Sequence, residues 1–438
     1  MRRTGTVQHG GTSLTTRVFL FLQGPHGPFF HRLGRQLRAT GAQVWRVGFN
    51  AGDRAFWPDA AHYLAFDRPQ AEWPDFLGEL IDRRTVTDLV LYGDARPVHA
   101  QAVRIARARG LTVHVFEEGY LRPSWVTYER GGANGNSRLM RTSIADMRAT
   151  LSTCDAATPR PPGAWGDMRA HIFYGALYHG LLMLGRPAYP HFRPHRAIPP
   201  GRELGLHLRR LVLMPLHALR RRIASRRLRR AACPYHVVLL QLSHDSAVLS
   251  HSLFSTASEF VQAVIEGFAR GAPPHHHLVI KAHPLEDGRE PVHKDIRRIA
   301  RDEGVSERVH YLSGGKLGPL LDEARSAVTV NSTAGQQALW RGLPLKALGA
   351  AVYGKPELIS DQPLAAFFRA PDRPDAAACR VFHRYLLATS QIPGGFYSTR
   401  GRRRLLRRIV DLMLAPDDPY DAVLAPAASS RQQVRLAG

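Results

Sequence analysis

The sequence of 438 residues predicts an α/β protein made of two Rossmann-like lobes separated by a basic, partly helical insertion. Three observations carry that prediction. Short, apolar, β-branched runs recur along the chain, each followed by a glycine-rich or polar turn and then by helical periodicity, the alternation that builds parallel βαβ units. The alternation stops near residue 138 and resumes near residue 234. The length also exceeds what one ordinary core supports and suits two.

Residues 1–15 read as a flexible polar leader, without the apolar stretch of a secretory signal. The first lobe, residues 16–137, opens with a strand over Arg17 to Gln23 that delivers Gly24-Pro25-His26-Gly27, and Leu33 and Leu37 then place a helix running to Gly41. A second strand, Gln43 to Gly48, leads to Phe49-Asn50-Ala51-Gly52-Asp53. A third, Asp88 to Tyr92, leads to Gly93-Asp94-Ala95-Arg96. After a helix around Ala100 to Arg109, the strand Leu111 to Phe116 runs into Glu117-Glu118-Gly119. Residues 138–233 are rich in proline, histidine, aromatics and arginine and form the linking insertion. The second lobe, residues 234–414, has strands over Val237 to Leu242, His277 to Ile280 and Ala327 to Val330, with another ending at Tyr311. Its helices lie near Glu259 to Arg270, Lys294 to Glu303 and Leu317 to Arg325. Residues 415–438, dominated by Pro, Ala, Ser and Gln, predict a disordered tail.

Composition narrows the function classes. Cys154, Cys233 and Cys379 are too few and scattered for a disulfide framework or structural zinc, which suits a reducing cytoplasm. The longest apolar stretch, Ile172 to Leu184, is broken by His179 and falls short of the roughly 20 residues a membrane span needs. The formal charge is +24, almost all from arginine, and its field attracts anionic lipid, nucleotide or nucleic acid. Nucleic acid is disfavoured because no aromatic-interleaved basic sheet or recognition helix accompanies the charge. Between Glu203 and Arg230, leucines interleave with Arg209, Arg210, Arg220, Arg221, Arg222, Arg226 and Arg227, and Pro215 divides the segment into two amphipathic helices. Such helices are expected to rest on an anionic membrane surface, the competing reading being a solvated face packed on the lobes.

Ligands of open α/β sheets sit at the carboxyl ends of strands, so the strand-end residues are the candidates. The turn holding Gly24 and Gly27 can present amides to a phosphate or sugar, or simply be a tight strand-to-helix turn. Glu117 and Glu118 point to opposite faces of their strand; one faces the cleft as an acid or base and the other is structural, with the choice left open. Asp245, flanked by Ser243, His244 and Ser246, can be a nucleophile, a base or a helix N-cap. Lys281 and His283-Pro284 suit the phosphate of a nucleotide leaving group, whose developing charge needs fixed cationic partners. Asn331-Ser332-Thr333 can hold phosphate with hydroxyls and amides, with helix capping the rival explanation. His275 to His277 precede a strand and lack spaced co-ligands, so a solvated loop is expected there rather than a metal site.

Taken together, these motifs resemble the bacterial capsular polysaccharide biosynthesis proteins of the KpsS and KpsC type, which are Kdo transferases. The resemblance runs from about Arg17 to Tyr397 through Phe21-Leu22-Gln23-Gly24-Pro25, Phe49-Asn50-Ala51-Gly52-Asp53, Tyr92-Gly93-Asp94 with Arg96-Pro97, Phe116-Glu117-Glu118-Gly119-Tyr120, Asn134-Gly135-Asn136-Ser137, His244-Asp245-Ser246, Lys281 with His283-Pro284, Val330-Asn331-Ser332-Thr333 and Phe396-Tyr397. A single set of motifs matches the KpsS layout rather than a dual-module one. The resemblance implies a GT-B arrangement with the two lobes facing across a central cleft, and a retaining glycosyltransferase that takes β-Kdo from CMP-Kdo. It implies Asp245 as nucleophile and Glu118, or Glu117, as general base. His283, Ser332 and Thr333 would hold the CMP phosphate with Lys281 in support, and Arg96 and Arg122 the Kdo carboxylate. Gly24, Gly27, Asn50 and Asp94 are expected to line the substrate cleft. No cofactor and no metal are implied. The acceptor would be a phosphatidylglycerol-type lipid at the inner-membrane surface, with other capsule biosynthesis or export proteins as partners of a peripheral cytoplasmic enzyme. A related nucleotide-sugar transferase with another acceptor and a nonenzymatic capsule assembly or export adaptor are the competing readings.

Overall fold

The computed structural model describes residues 16–152, 167–192, 219, 233–241, 254–283 and 292–424. Two sheets organise them. The first contains β1 (Val18–Phe21), β2 (Gln43–Gly48), β3 (Tyr63–Ala65), β4 (Asp88–Tyr92), β5 (Thr112–Glu118) and β6 (Trp125–Arg130), together with the last strand of the chain, β12 (Gln391–Pro393). Its order is β12-β6-β5-β4-β1-β2-β3. β1 to β5 run parallel, while β6 returns antiparallel beside β5 and β12 pairs antiparallel with β6. Every residue of β1 is buried, as its uninterrupted Val-Phe-Leu-Phe run requires at the centre of a sheet covered on both faces.

The second sheet is parallel throughout, in the order β11 (Leu345–Ala347), β10 (Ser326–Thr329), β7 (Tyr235–Leu239), β8 (His277–Lys281), β9 (Val309–Leu312). In each sheet the first strand of the lobe lies inside, and later strands are added first on one side and then on the other. The strand order therefore reverses between β1 and β4 in the first sheet and between β7 and β10 in the second, which opens a ligand crevice at the carboxyl ends there.

The helices are α1 (Phe29–Arg38), α2 (Ala51–Ala55), α3 (Trp73–Arg84), α4 (Pro97–Ala108), α5 (Ile144–Ser152), α6 (Asp167–Leu184), α7 (Ala257–Gly271), α8 (Val292–Asp302), α9 (Gly318–Asp322), α10 (Gly335–Leu339), α11 (Leu364–Arg369), α12 (Ala376–Thr389), α13 (Thr399–Leu414) and α14 (Pro419–Leu424). One face of the first sheet packs Phe19, Phe21 and Phe116 against Phe29, Phe30 and Leu33 of α1 and Leu405 and Ile409 of α13. Its other face packs Leu20, Leu89 and Val115 against α3 and α4. Each such fully buried side chain stabilises by roughly 1.5–3 kcal/mol. In the second sheet Val238, Ile280 and Val328 meet α7, α8 and α11. The opposite face joins the lobes, because Val237, Val279 and Ala327 share one cluster with Tyr120, Leu121, Leu139 and Ile144.

Three expectations are corrected. The second lobe does not extend to residue 414: β12 completes the first sheet and α13 packs on its face, so the chain crosses back after α12. The segment expected to be a disordered tail from residue 415 contains α14, whose Tyr420 is fully buried and donates from its hydroxyl to Glu129 Oε2 at 2.9 Å. The histidine run is not a solvated loop, since His276 is buried with Nδ1 3.1 Å from His236 Nε2, and His277, the first residue of β8, stacks on His310. The apolar environment of the second lobe lowers the pKa values of all four imidazoles, with burial the first cause in each. Among the described residues no group of three or more His, Cys, Asp and Glu is arranged to hold a metal ion.

Candidate active site

The carboxyl end of the second sheet gathers the phosphate-binding candidates. β7 is flanked by β8 and β10, with Leu239 in register with Lys281 on one side and Thr329 on the other. The backbones leaving these strands therefore emerge side by side. Lys281 is buried, with Nζ donating to Ala282 O at 3.3 Å, and half-buried His283 follows it. Asn331, Ser332 and Thr333 leave β10, all half-buried. A residue that the sequence did not single out holds this edge together: Gln241 donates from Nε2 to Asn331 Oδ1 at 2.9 Å and accepts from Asn331 N at 3.0 Å. These bonds tie the ends of β7 and β10 together at the point where strand order reverses. Ser332 Oγ accepts from Ala334 N at 3.2 Å and Tyr353 donates to Ser332 O at 2.6 Å, so the turn is fixed from within and from behind.

Ser243, His244, Asp245, Ser246 and Pro284 lie outside the described residues, as do Arg209, Arg210, Arg220, Arg221, Arg222, Arg226 and Arg227.

The first sheet supplies the paired glutamates. Side chains alternate along β5, so Phe116 faces the cluster under α1 and α13 while Val115 faces the opposite cluster. Glu118 continues the Phe116 face. There Tyr92 donates from its hydroxyl to Glu118 Oε1 at 3.4 Å, and Tyr397 hydrogen-bonds with both Tyr92 and Glu118. Burial first, and then the neighbouring carboxylates, push both tyrosines well above their usual range, with the Tyr397 phenol adding to the rise at Tyr92 and the bond to Tyr92 opposing it at Tyr397. Both phenols therefore stay protonated and available as donors. Glu117 turns the other way: its Oε1 accepts from Glu118 N at 3.1 Å, and its Oε2 lies over Gly93, 3.1 Å from where a Cβ would stand. The two carboxylates share a strand end but not an environment.

The turn after them has little freedom. A Cβ on Gly119 would stand 2.3 Å from Trp125 O, which excludes any larger residue, and Thr127 Oγ1 donates to Glu118 O at 3.1 Å while accepting from Tyr120 N. Tyr120 and Leu121 then enter the cluster that joins the lobes and contains Tyr353, the residue that braces Ser332. The glutamate edge and the Ser332 edge are thus anchored in a common core.

Several expected cleft residues also hold the scaffold. Asn50 is buried, accepting from Asp53 N at 2.9 Å as the N-cap of α2 and donating to Tyr178 Oη at 2.7 Å. Asp94 is buried and accepts from Ala133 N at 3.0 Å and Asn136 Nδ2 at 3.1 Å, which pins the Asn134–Asn136 turn. Gly27 adopts φ 113° with Tyr174 of α6 packed against it, while half-buried Gly24 stands at the start of the same turn. Arg96 is half-buried with its guanidinium 5.8 Å from the Tyr92 ring, and Arg122 is exposed with Nε donating to Gly119 O at 3.2 Å. Both cations thus border the glutamate end of β5.

Sequence spacing gave no sign that part of the insertion would complete this site. α6 lies along the first lobe, with His171 stacked on Tyr397 at 4.2 Å, Tyr178 stacked on His26 at 4.3 Å, and Tyr174 beneath the Arg402 guanidinium at 5.6 Å. Through the His171 stack on Tyr397 this helix reaches the surroundings of Glu118.

The family described as capsule polysaccharide biosynthesis protein matches residues 87–397. The capsule polysaccharide export protein KpsS of Escherichia coli is 32% identical over 385 residues, covering 88% of this chain and 98% of that protein. The capsule polysaccharide modification protein LipB of Neisseria meningitidis serogroup A is 32% identical over 382 residues, covering 86% and 91%. Among solved structures, the β-Kdo 2,7 transferase KpsC of Thermosulfurimonas dismutans aligns with a TM-score of 0.44 at 12% identity, covering 91% of this chain and all of that one.

Proposed function

Since the chain belongs to the capsule polysaccharide biosynthesis protein family, we propose that it is a retaining glycosyltransferase that moves β-Kdo from CMP-Kdo to a phosphatidylglycerol-type lipid and so begins the capsule linker. The observation that carries the reading is the convergence of Lys281, His283 and Asn331 to Thr333 on one carboxyl edge, beside the strand that leads to Asp245. A nucleotide phosphate requires that arrangement: fixed cations and hydroxyls at the crevice where strand order reverses.

In this mechanism the Asp245 carboxylate attacks the anomeric carbon of Kdo and the bond to the CMP oxygen breaks, with its electron pair leaving on the phosphate. Lys281, His283, Ser332 and Thr333 receive that charge. The acceptor hydroxyl then attacks the same carbon, displaces Asp245 and gives its proton to Glu118, so that two inversions restore the β configuration. Glu118 is preferred over Glu117 because two protonated phenols orient it and His171 of α6 stacks on one of them. Arg96 and Arg122 flank the same strand end and suit the Kdo carboxylate. The phosphate charge is met by side chains, so the reaction uses no metal or cofactor. The enzyme works as a cytoplasmic protein held peripherally at the inner membrane, where capsule biosynthesis and export partners are within reach.

The test is CMP release from CMP-Kdo, with other CMP- and UDP-sugars run in parallel, in the presence of phosphatidylglycerol. Release from CMP-Kdo that is insensitive to EDTA is expected. Release from a different donor would move the reading to another transferase, and none with any donor would favour the adaptor.

A further inference from the structure

α6 is apolar on both sides. The face turned inward carries His171, Tyr174 and Tyr178 against the first lobe. The face turned outward carries Ile172, Phe173, Leu177, Met183 and Leu184, which are between 38% and 83% exposed. Their spacing, with exposed Ala176 and Gly180 between them, traces one continuous stripe along the helix. Surface apolar residues scattered singly need no explanation, but a contiguous stripe marks an interaction surface.

Charge decides what covers it. Ala170 and Tyr174 pack against the cluster that lies under α1 and α13, so the three helices belong to the same side of the molecule. α1 exposes Arg32 and Arg35, α13 exposes Arg403 and Arg407, and the whole chain carries +24. An apolar stripe on so basic a protein is complementary to an anionic bilayer, where the stripe enters the acyl boundary and the cations of the surface meet the headgroups. A second copy of so basic a chain would bring like charges together. Among the described residues no helix is long and apolar enough to cross a membrane, so α6 would lie in the surface rather than span it.

We propose that the outward face of α6 is the surface by which this protein docks on anionic phospholipid. The proposal deepens the lipid-acceptor reading and rests on it for its purpose. His171 on the inward face stacks on Tyr397, which bonds Glu118, so a docked bilayer would be separated from the proposed base by the helix and the Tyr397 side chain. The lipid headgroup would then meet the base without leaving the interface.

The full-length protein is sedimented with vesicles of phosphatidylglycerol and phosphatidylcholine, and with phosphatidylcholine vesicles alone. Pelleting with the anionic vesicles is expected, and the double variant Phe173→Asp/Leu177→Asp weakens it by about tenfold or more, while Phe173→Leu/Leu177→Ile pellets like the wild type. Circular dichroism of both variants confirms the fold. Vesicle binding unchanged in the Asp variant overturns the proposal. So does a wild-type dimer that the Asp variant dissociates without losing vesicle binding, because the stripe would then be a contact between copies. Sedimentation needs no turnover, so CMP release from CMP-Kdo, measured separately, can fail while the docking surface stands.

Discussion

Glu117 and Glu118 show how neighbouring residues of one type acquire different roles. The alternation of a strand sends them to opposite faces, and the phenols of Tyr92 and Tyr397 gather around only one of them. The adjacency of the two carboxylates was legible in the sequence. The choice between them was not, because Tyr397 lies far along the chain and reaches Glu118 only after the crossing back to the first lobe. For the same reason the structural bonds of Asn50 and Asp94 were not legible: a polar residue at a strand end looks the same in sequence whether it meets a ligand or caps its own turn. In the proposed mechanism Glu118→Gln lowers kcat by about 100-fold or more with little change in the KM for donor. Tyr397→Phe lowers kcat by roughly tenfold as the loss of a positioning donor. Combining the two costs little beyond Glu118→Gln alone, since the phenol acts through the carboxylate. A Tyr397→Phe loss of equal size in both backgrounds would contradict that coupling.

At the scale of elements, β-branched runs and helical spacing located the parallel strands other than the short β3 and β11, and Gln43–Gly48 and Asp88–Tyr92 fall where the apolar pattern puts them. The antiparallel edge escaped notice because β12 is only 3 residues long and the pairing of β6 and β12 is fixed by distant side chains. Gln391 Nε2 donates to Thr127 Oγ1 at 3.0 Å and Gln391 Oε1 accepts from Leu121 N at 3.2 Å. Glu129 of β6 is a second such tie. It is buried, accepts from Tyr120 Oη at 2.7 Å and Tyr420 Oη at 2.9 Å, and is also bonded by Ser137 Oγ. Burial pushes its carboxyl up from an ordinary 4.5 to about 7, against the pull of the three hydroxyl donors. A raised acid favours the folded state fully below the unfolded value, and this contribution is lost as pH rises from about 4.5 through about 7. Glu129→Gln removes that loss, so its stability relative to the wild type should increase from pH 5 to pH 8 by about 2–3 kcal/mol. Paired denaturation curves at the two pH values check it, and a difference that is flat with pH would contradict a strained carboxylate.

For the whole molecule, the two-lobe plan was legible because each lobe repeats its own βα alternation and the insertion interrupts it. The return of β12 and α13 to the first sheet was not, because nothing in local periodicity states which lobe a late helix joins. That return brings Tyr397 to the glutamates, and the cluster containing Leu121 and Tyr353 sets the glutamate edge and the Ser332 edge on a shared foundation. The insertion contributes the helix whose His171 stacks on Tyr397 and, on its outer side, the surface proposed for the membrane. The proposed reaction therefore uses both lobes: charge received on the second, proton received on the first, and an acceptor presented at a lipid surface. Mass spectrometry of a fluorescent lysophosphatidylglycerol incubated with CMP-Kdo tests this most directly, using wild-type protein and Asp245→Ala. A mass increase of one Kdo or more is expected with the wild type and none with the variant. No increase with intact donor and folded wild-type protein, or an increase that survives Asp245→Ala, would contradict it.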